Sequence, residues 1–196
     1  MTKTPTDSLM DVIRIRRSVR TYVDRPIPEN VYESLTTVVR SAAAAWGITN
    51  ARIIIVRKPD GVKRLRRAVF SGLAGKINPW ILTTRAQAFI IACGSPDPSA
   101  PTGDRALYMA GASMLMEVAV LTAAEYGLGT CWLGGFGEEG VRQALSVTDD
   151  LRVVAVSPLG YPAERIQAES EQYMRENKVS LRRKHIDELM TMVEGT

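Results

Sequence analysis

From about Asp104 to Tyr126 the chain is apolar on nearly every side of a helix, and few folds accommodate such a segment. It must be enclosed by its own chain or covered by a second copy. A chain of 196 residues, sized for one domain, rarely encloses such a helix completely, so a homodimer is expected. The stretch Ala106 to Ala124 is free of Lys and Arg but holds Glu117 and many small residues. At 19 positions it would barely cross a bilayer, and no second candidate span accompanies it, so a buried helix with no membrane partner is the better reading.

Around this helix the sequence reads as strands alternating with helices, an α/β or α+β layered arrangement. Ser8 to Ile15 predicts a short helix with Asp7 as its cap, and Pro28 suits the first turn of a second. In that second helix Val31, Leu35, Val38, Val39 and Ala42 recur at helical spacing, so one face is core. Ile53 to Val56 and Phe89 to Ile91 read as strands covered on two faces, with a basic helix from Val62 to Phe70 between them. Gly94 to Gly103 is a proline-rich loop. After the long helix come a strand near Thr130 to Leu133, a helix near Glu138 to Leu145, a strand near Arg152 to Val156 and a turn at Pro158 to Pro162. A polar tail and a last helix over Ile186 to Val193 follow.

Histidine occurs once, at His185, which excludes multi-histidine metal sites and leaves hydrolase triads a single possible base. Cys93 and Cys131 lie 38 positions apart in apolar runs, which reads as buried thiols in a reducing cytoplasm. Asp7 and Asp11 precede any long apolar run, unlike a signal peptide. Charge is uneven. Residues 1–85 hold 16 Lys or Arg against 6 Asp or Glu, and the remainder 9 against 15. Such asymmetry points to an anionic ligand near the N-terminal half or to a nucleic-acid surface. For the latter, Arg52, Arg57, Lys58, Lys63, Arg64, Arg66 and Arg67 are the candidates, but they lack interleaved aromatics and any nucleic-acid-binding signature.

Two constellations carry chemistry. Arg16-Arg17-Ser18-Val19-Arg20 offers three guanidiniums and a hydroxyl within five residues, enough to surround a phosphate, although a solvated basic turn would look the same. Arg182-Arg183-Lys184 is a second basic triplet. In Gly127 to Phe136, paired glycines let backbone N–H groups approach a flat ligand, or serve a plain strand-to-helix turn. Gly135-Phe136-Gly137-Glu138-Glu139-Gly140 spells a dinucleotide fingerprint, but Glu138 and Glu139 would set two carboxylates where a pyrophosphate must sit, and the match is rejected.

Together these segments resemble the nitroreductase family of flavin enzymes. Arg16 to Tyr22 followed by Pro26-Ile27-Pro28-Glu29 looks like the family's opening phosphate-binding segment. Gly127 to Phe136 is similar to its glycine-rich flavin strand, Leu159 to Glu164 to its late turn, and Arg183 within Arg182 to Leu189 to its C-terminal phosphate contact. The resemblance implies a homodimeric α+β fold, a nitroreductase-like layered sheet with flanking helices forming one domain over 1–196, and FMN at the subunit interface. By that likeness Arg16, Arg17, Ser18, Arg20, Arg182 and Arg183 hold phosphate and the polar flavin edge, and Trp132, Leu133, Gly134 and Gly135 line the ring. The implied activity is hydride transfer from NAD(P)H to an electron-poor acceptor, with the chemistry carried by the flavin and no side chain required as acid or base. Ala42 to Asn50 departs from the family pattern, replacing its polar residues and placing Trp46 and Gly47 at the edge of the substrate pocket. A specialised biosynthetic flavin dehydrogenase and a non-catalytic flavin scaffold are the alternatives within that likeness; the basic nucleic-acid module is the alternative outside it.

Overall fold

Ala88–Gly94 forms the strand β2, and all seven of its residues are buried. Side chains alternate between faces along a strand, so a run like this requires an apolar layer on each side. The computed structural model, which describes residues 9–96, 107–148 and 150–163, provides both layers. Four strands, β1 (Ala51–Val56), β2, β3 (Gly129–Thr130) and β4 (Arg152–Gly160), lie in the order β1-β2-β4-β3, every pairing antiparallel. On one face Phe89, Ile91 and Cys93 meet Val62, Leu65 and Val69 of α3 (Pro59–Phe70), Ile81 of the 3-10 turn Pro79–Leu82, and Val141 of α6 (Glu138–Leu145). On the other, Ala88, Ile90 and Ala92 meet Leu35 of α2 (Glu29–Ala45) and Ala112, Met116, Ala119 and Ala123 of α5 (Leu107–Glu125). A short α1 (Leu9–Ile15) packs on α5, and a single turn, α4 (Gly72–Gly75), follows α3. Each large side chain so buried stabilises the fold by about 1.5–3 kcal/mol.

The helices start where backbone chemistry allows. Pro59 is the first residue of α3, where its missing N–H costs nothing, and Pro28 caps α2 with φ −63°. Gly47, at φ +63°, ends α2 in the left-handed conformation, and the Ile48 N–H donates to the Ala43 carbonyl over 2.9 Å.

Four expectations require correction. Strand β1 is only half-buried although both its faces are packed, Ile54 and Val56 on one and Ile53 and Ile55 on the other, because among the described residues it is an edge strand. Val38 of α2 is exposed, so the buried stripe there is narrower than the periodicity suggests. No turn occurs at Pro158: β4 continues to Gly160, and the chain beyond it pairs with the N-terminal segment through Tyr22↔Pro162. Gly94 belongs to β2, with the proline-rich stretch 97–106 and the C-terminal residues 164–196 outside the described residues.

Enclosure of α5 is one-sided. Half of its apolar stretch is buried against the sheet and α2, while Leu107, Met109 and Met114 are each more than 40% exposed. Among the described residues it is the one helix long and apolar enough to cross a membrane. Leu9, Met10, Ile13 and Ile15 of the neighbouring α1 are exposed as well.

Burial pushes the Cys93 thiol up from an ordinary 9.0 to about 11, with Arg52 opposing and Glu138 adding to the rise. The folded chain therefore holds this proton after an unfolded one has released it, and the stability it contributes is lost as pH rises from 9.0 to about 11. Urea midpoints measured below and at the top of this window are expected to fall more in the wild type than in Cys93→Ala.

Candidate functional site

The N-terminal segment leaves α1 and lies along the outer edge of β3. Ser18 pairs with Thr130 as a parallel bridge, and the Val19 N–H donates to the Thr130 carbonyl over 2.8 Å. The approach is close enough that a Cβ on Gly129 would come within 2.7 Å of the Val19 side chain. Tyr22 anchors the segment, its hydroxyl donating to the Val19 carbonyl over 2.6 Å. Burial, the largest cause, raises that phenol well above its ordinary range, with the Cys131 charge adding to the rise and Arg20 opposing it.

This docking gathers polar groups at one point. Burial raises the Cys131 thiol, and three groups pull it back down: Arg20, a hydrogen bond with Ser18, and Arg16. Arg16, Ser18 and Arg20, far from Cys131 in sequence, are thus its electrostatic neighbours at the end of β3. Arg17 is not among them. Its guanidinium turns back to the carbonyls of Arg14 and Arg16, the usual place for a cation at a helix C-terminus.

Beyond Cys131 the chain forms an exposed ledge. Opposite Pro158 the strand ladder is interrupted, and the Cys131 N–H is met by the Ser157 hydroxyl over 3.0 Å rather than by a strand carbonyl. Leu133 is buried and exchanges both backbone hydrogen bonds with Val156, which fixes the residues on either side of it. Trp132 is 37% exposed. Gly134 is exposed, and a Cβ there would meet nothing within 4 Å. Among the described residues, the N–H groups of Gly134 and Gly135 have no acceptor. Gly135 is held by Asn78, whose side-chain amide donates to its carbonyl over 3.0 Å.

Gly137 and Gly140 serve helix packing. A Cβ on either would fall within 2.4 Å of the Ser71 hydroxyl, where α6 crosses the end of α3. The Arg152 guanidinium binds Glu138 through two nitrogens, at 2.7 and 2.9 Å, and the Val153 N–H adds a third bond at 3.2 Å. These contacts, the Arg152 hydrogen bond first, hold Glu138 below the usual carboxylate range. The carboxylate at the head of α6 is therefore part of a structural ion pair, in keeping with rejection of the dinucleotide fingerprint.

Trp46 and Gly47 lie elsewhere. They end α2 ahead of β1, the opposite edge of the sheet from β3. Ala51 pairs with Gly94 at one end of β2, whereas Thr130 faces Leu159, which pairs with Ala88 at the other end. Strand spacings put the two regions about 14 Å apart across the sheet and about 20 Å apart along it. Trp46 is 51% exposed, so it is no core tryptophan of this chain. Arg182 and Arg183 lie outside the described residues. Sequence reasoning missed Asn78 and Ser157. The Asn78-Pro79 dipeptide was a readable turn signal, whereas nothing local marks Ser157.

The nitroreductase family model matches residues 13–161, about three quarters of the chain, and the chain belongs to this family of oxidoreductases. The resemblance read from its motifs therefore holds at family level. A protein named NADH dehydrogenase from Thermus thermophilus is 28% identical over 172 residues, covering 76% of this chain and 84% of its own. A nitroreductase family protein of Clostridium novyi NT superposes with a TM-score of 0.69 at 25% identity, over 82% of this chain and 88% of its own. An FMN-dependent nitroreductase of Clostridium difficile R20291 shares the fold, with a TM-score of 0.63 at 20% identity over 79% and 87%.

Asn78→Ala is expected to lower stability by about 1 kcal/mol, the size of one ordinary hydrogen bond. Hydrogen exchange should quicken at the Gly137 amide, which is bonded to the Val69 carbonyl over 3.1 Å, and stay unchanged in β2.

Proposed function

We propose that this protein is a homodimeric FMN-dependent oxidoreductase that moves hydride equivalents from NAD(P)H to an electron-poor small-molecule acceptor. The observation carrying this reading is the convergence of Arg16, Ser18 and Arg20 on Cys131, directly beside the Trp132–Gly135 ledge with its two unpaired N–H groups. Family membership, a relative named NADH dehydrogenase and a structural neighbour named FMN-dependent support the same chemistry.

The residues fit the cofactor. Flavin mononucleotide has a dianionic phosphate and a flat ring with polar edges. The guanidiniums of Arg16 and Arg20 suit the first or the polar edge, and the open side of Gly134 and the indole of Trp132 suit the ring. Bound there, FMN would supply two-electron hydride chemistry that no side chain of this protein can provide. The protein's own part is placement. Leu133, locked to Val156, and Asn78, locked to Gly135, hold the ledge rigid from both ends. The unpaired Gly134 and Gly135 N–H groups are available to hold a polar ring edge in register. Arg182 and Arg183 belong to the proposal as further phosphate contacts, and Arg17 more weakly, since its guanidinium is engaged on α1.

The dimer rests on two observations. Among the described residues, Leu107, Met109 and Met114 of α5 and four apolar side chains of α1 are exposed. Trp46 and Gly47, across the sheet from the arginine cluster, would border the flavin only of a second copy. In that arrangement the exposed Trp46 narrows the partner's acceptor slot.

Purified protein is expected to be yellow and to release FMN on denaturation; colourless protein that does not take up added FMN would sink the reading. Titration of apo Arg16→Ala and apo Arg183→Ala with FMN should show affinity roughly ten- to a hundredfold weaker for each. Met114→Arg would place an unpaired cation in the interface, and sedimentation at micromolar protein is expected to show a dimer for the wild type and a monomer for the variant. Retention of the dimer would place the interface elsewhere.

A further inference from the structure

The basic helix α3 is not used by the reading above. On its outer side a cavity of ≈ 420 Å³ is lined by Pro59, Asp60, Lys63, Arg66, Arg67 and Leu82. Three cations share it with one carboxylate. Among the described residues none of Lys63, Arg66 and Arg67 has an ion-pair partner, and the Nε of Arg66 is buried without a hydrogen-bond acceptor. A solvated helix face explains exposed lysines, but not a buried, unsatisfied guanidinium nitrogen at the wall of a cavity.

The cavity is joined to the candidate site by short rigid elements. Leu82 at its wall ends the 3-10 turn Pro79–Leu82, and Asn78, which grips Gly135, immediately precedes that turn. Four residues of 3-10 rise put the two about 8 Å apart. On the helix side, Ser71 touches the Gly137 position, and Arg67 and Lys63 lie back along α3 by about 6 and 12 Å. An anionic molecule with one end on the Trp132–Gly135 ledge and its charge directed outward along this turn would bring that charge to Lys63, Arg66 and Arg67.

We propose that this groove binds the additional phosphomonoester that distinguishes NADPH from NADH on the nicotinamide dinucleotide that donates hydride, so that NADPH is favoured over NADH. The proposal rests on the oxidoreductase reading for its ligand, but the groove can be tested apart from it. A phosphomonoester dianion suits clustered guanidinium and ammonium donors, and each charge-assisted bond is stronger than its neutral counterpart. The Asp60 carboxylate opposes the anion from the same wall, so its removal should tighten binding.

The first measurement is calorimetric titration of the whole protein with 2′,5′-ADP at low salt, which needs neither flavin nor turnover. Binding by the wild type is expected, with affinity roughly tenfold weaker in Lys63→Ala and Arg67→Ala, tighter in Asp60→Asn and unchanged in Arg40→Ala on the opposite face of the sheet. The second is steady-state kinetics, in which the same two variants should raise KM for NADPH by roughly the same factor, with kcat and the NADH parameters little changed. If 2′,5′-ADP binds through Lys63 and Arg67 but no dinucleotide reduces the protein, the groove stands and the oxidoreductase reading fails. Absence of 2′,5′-ADP binding, or affinities unaltered in both variants, overturns the groove. A duplex oligonucleotide that binds through these residues where 2′,5′-ADP does not would also overturn it, in favour of a nucleic-acid surface.

Discussion

The structure depends on the burial of β2 and β4 from both faces at once. With Ala88 to Cys93 wholly excluded from solvent, the short chain must furnish two apolar layers. It does so with α3, α6 and a 3-10 turn on one side and α2 and α5 on the other. Among the described residues only the short α1 is left to pack on α5 beyond these layers, and a small domain that makes its central strands this apolar leaves its largest apolar helix half-dressed. The exposed Met109 and Met114 follow from the same allocation that builds the core.

The candidate site occupies the one edge where the sheet is completed by irregular chain. Strand β3 is only two residues long, and past it the backbone alternates between groups that are held and groups that are free. Cys131 is satisfied by a side chain and Leu133 by a strand, whereas Gly134 and Gly135 keep their N–H groups unpaired. A regular strand would have used the inward-facing donors among these in its ladder. The interruption opposite Pro158 and the glycines beyond it leave donors free for a ligand, and Val19, pressed against Gly129, brings the arginine-bearing segment to the same place. Proline and glycine here set which backbone groups are available, which is as much a part of the site as the charged side chains.

Legibility in the sequence followed the range of the interaction involved. Helices α3, α5 and α6 and strand β2 were readable because periodicity and apolar runs are local, and Arg16–Arg20 and Gly127–Phe136 were readable as segments. That the two segments meet was supplied by family resemblance, because a parallel bridge between Ser18 and Thr130 leaves no trace in local pattern. Pro158 was misread for a physical reason: proline seldom sits in a central strand, and it is tolerated here because the ladder to the β3 side is broken at that point. Val38 was misread because helical spacing gives a stripe but not its width.

The distribution of charge connects these points. The sheet's two apolar faces exclude cations, so the arginines and lysines of the N-terminal half must occupy edges and outer helix faces. Two concentrations result: Arg16 and Arg20 at the β3 edge, and Lys63, Arg66 and Arg67 on α3. They lie on either side of the Gly134–Gly135 ledge along the chain's fold, one reached through Cys131 and the other through Asn78 and the 3-10 turn. Concentrations of like charge without partners destabilise a folded chain through self-repulsion. Where basic side chains elsewhere are balanced, as Arg152 is by Glu138 and Arg57 by Glu29, the balance comes from the chain's own carboxylates. Lys63, Arg66 and Arg67 have no such balance among the described residues, which is consistent with an anion that arrives with a substrate.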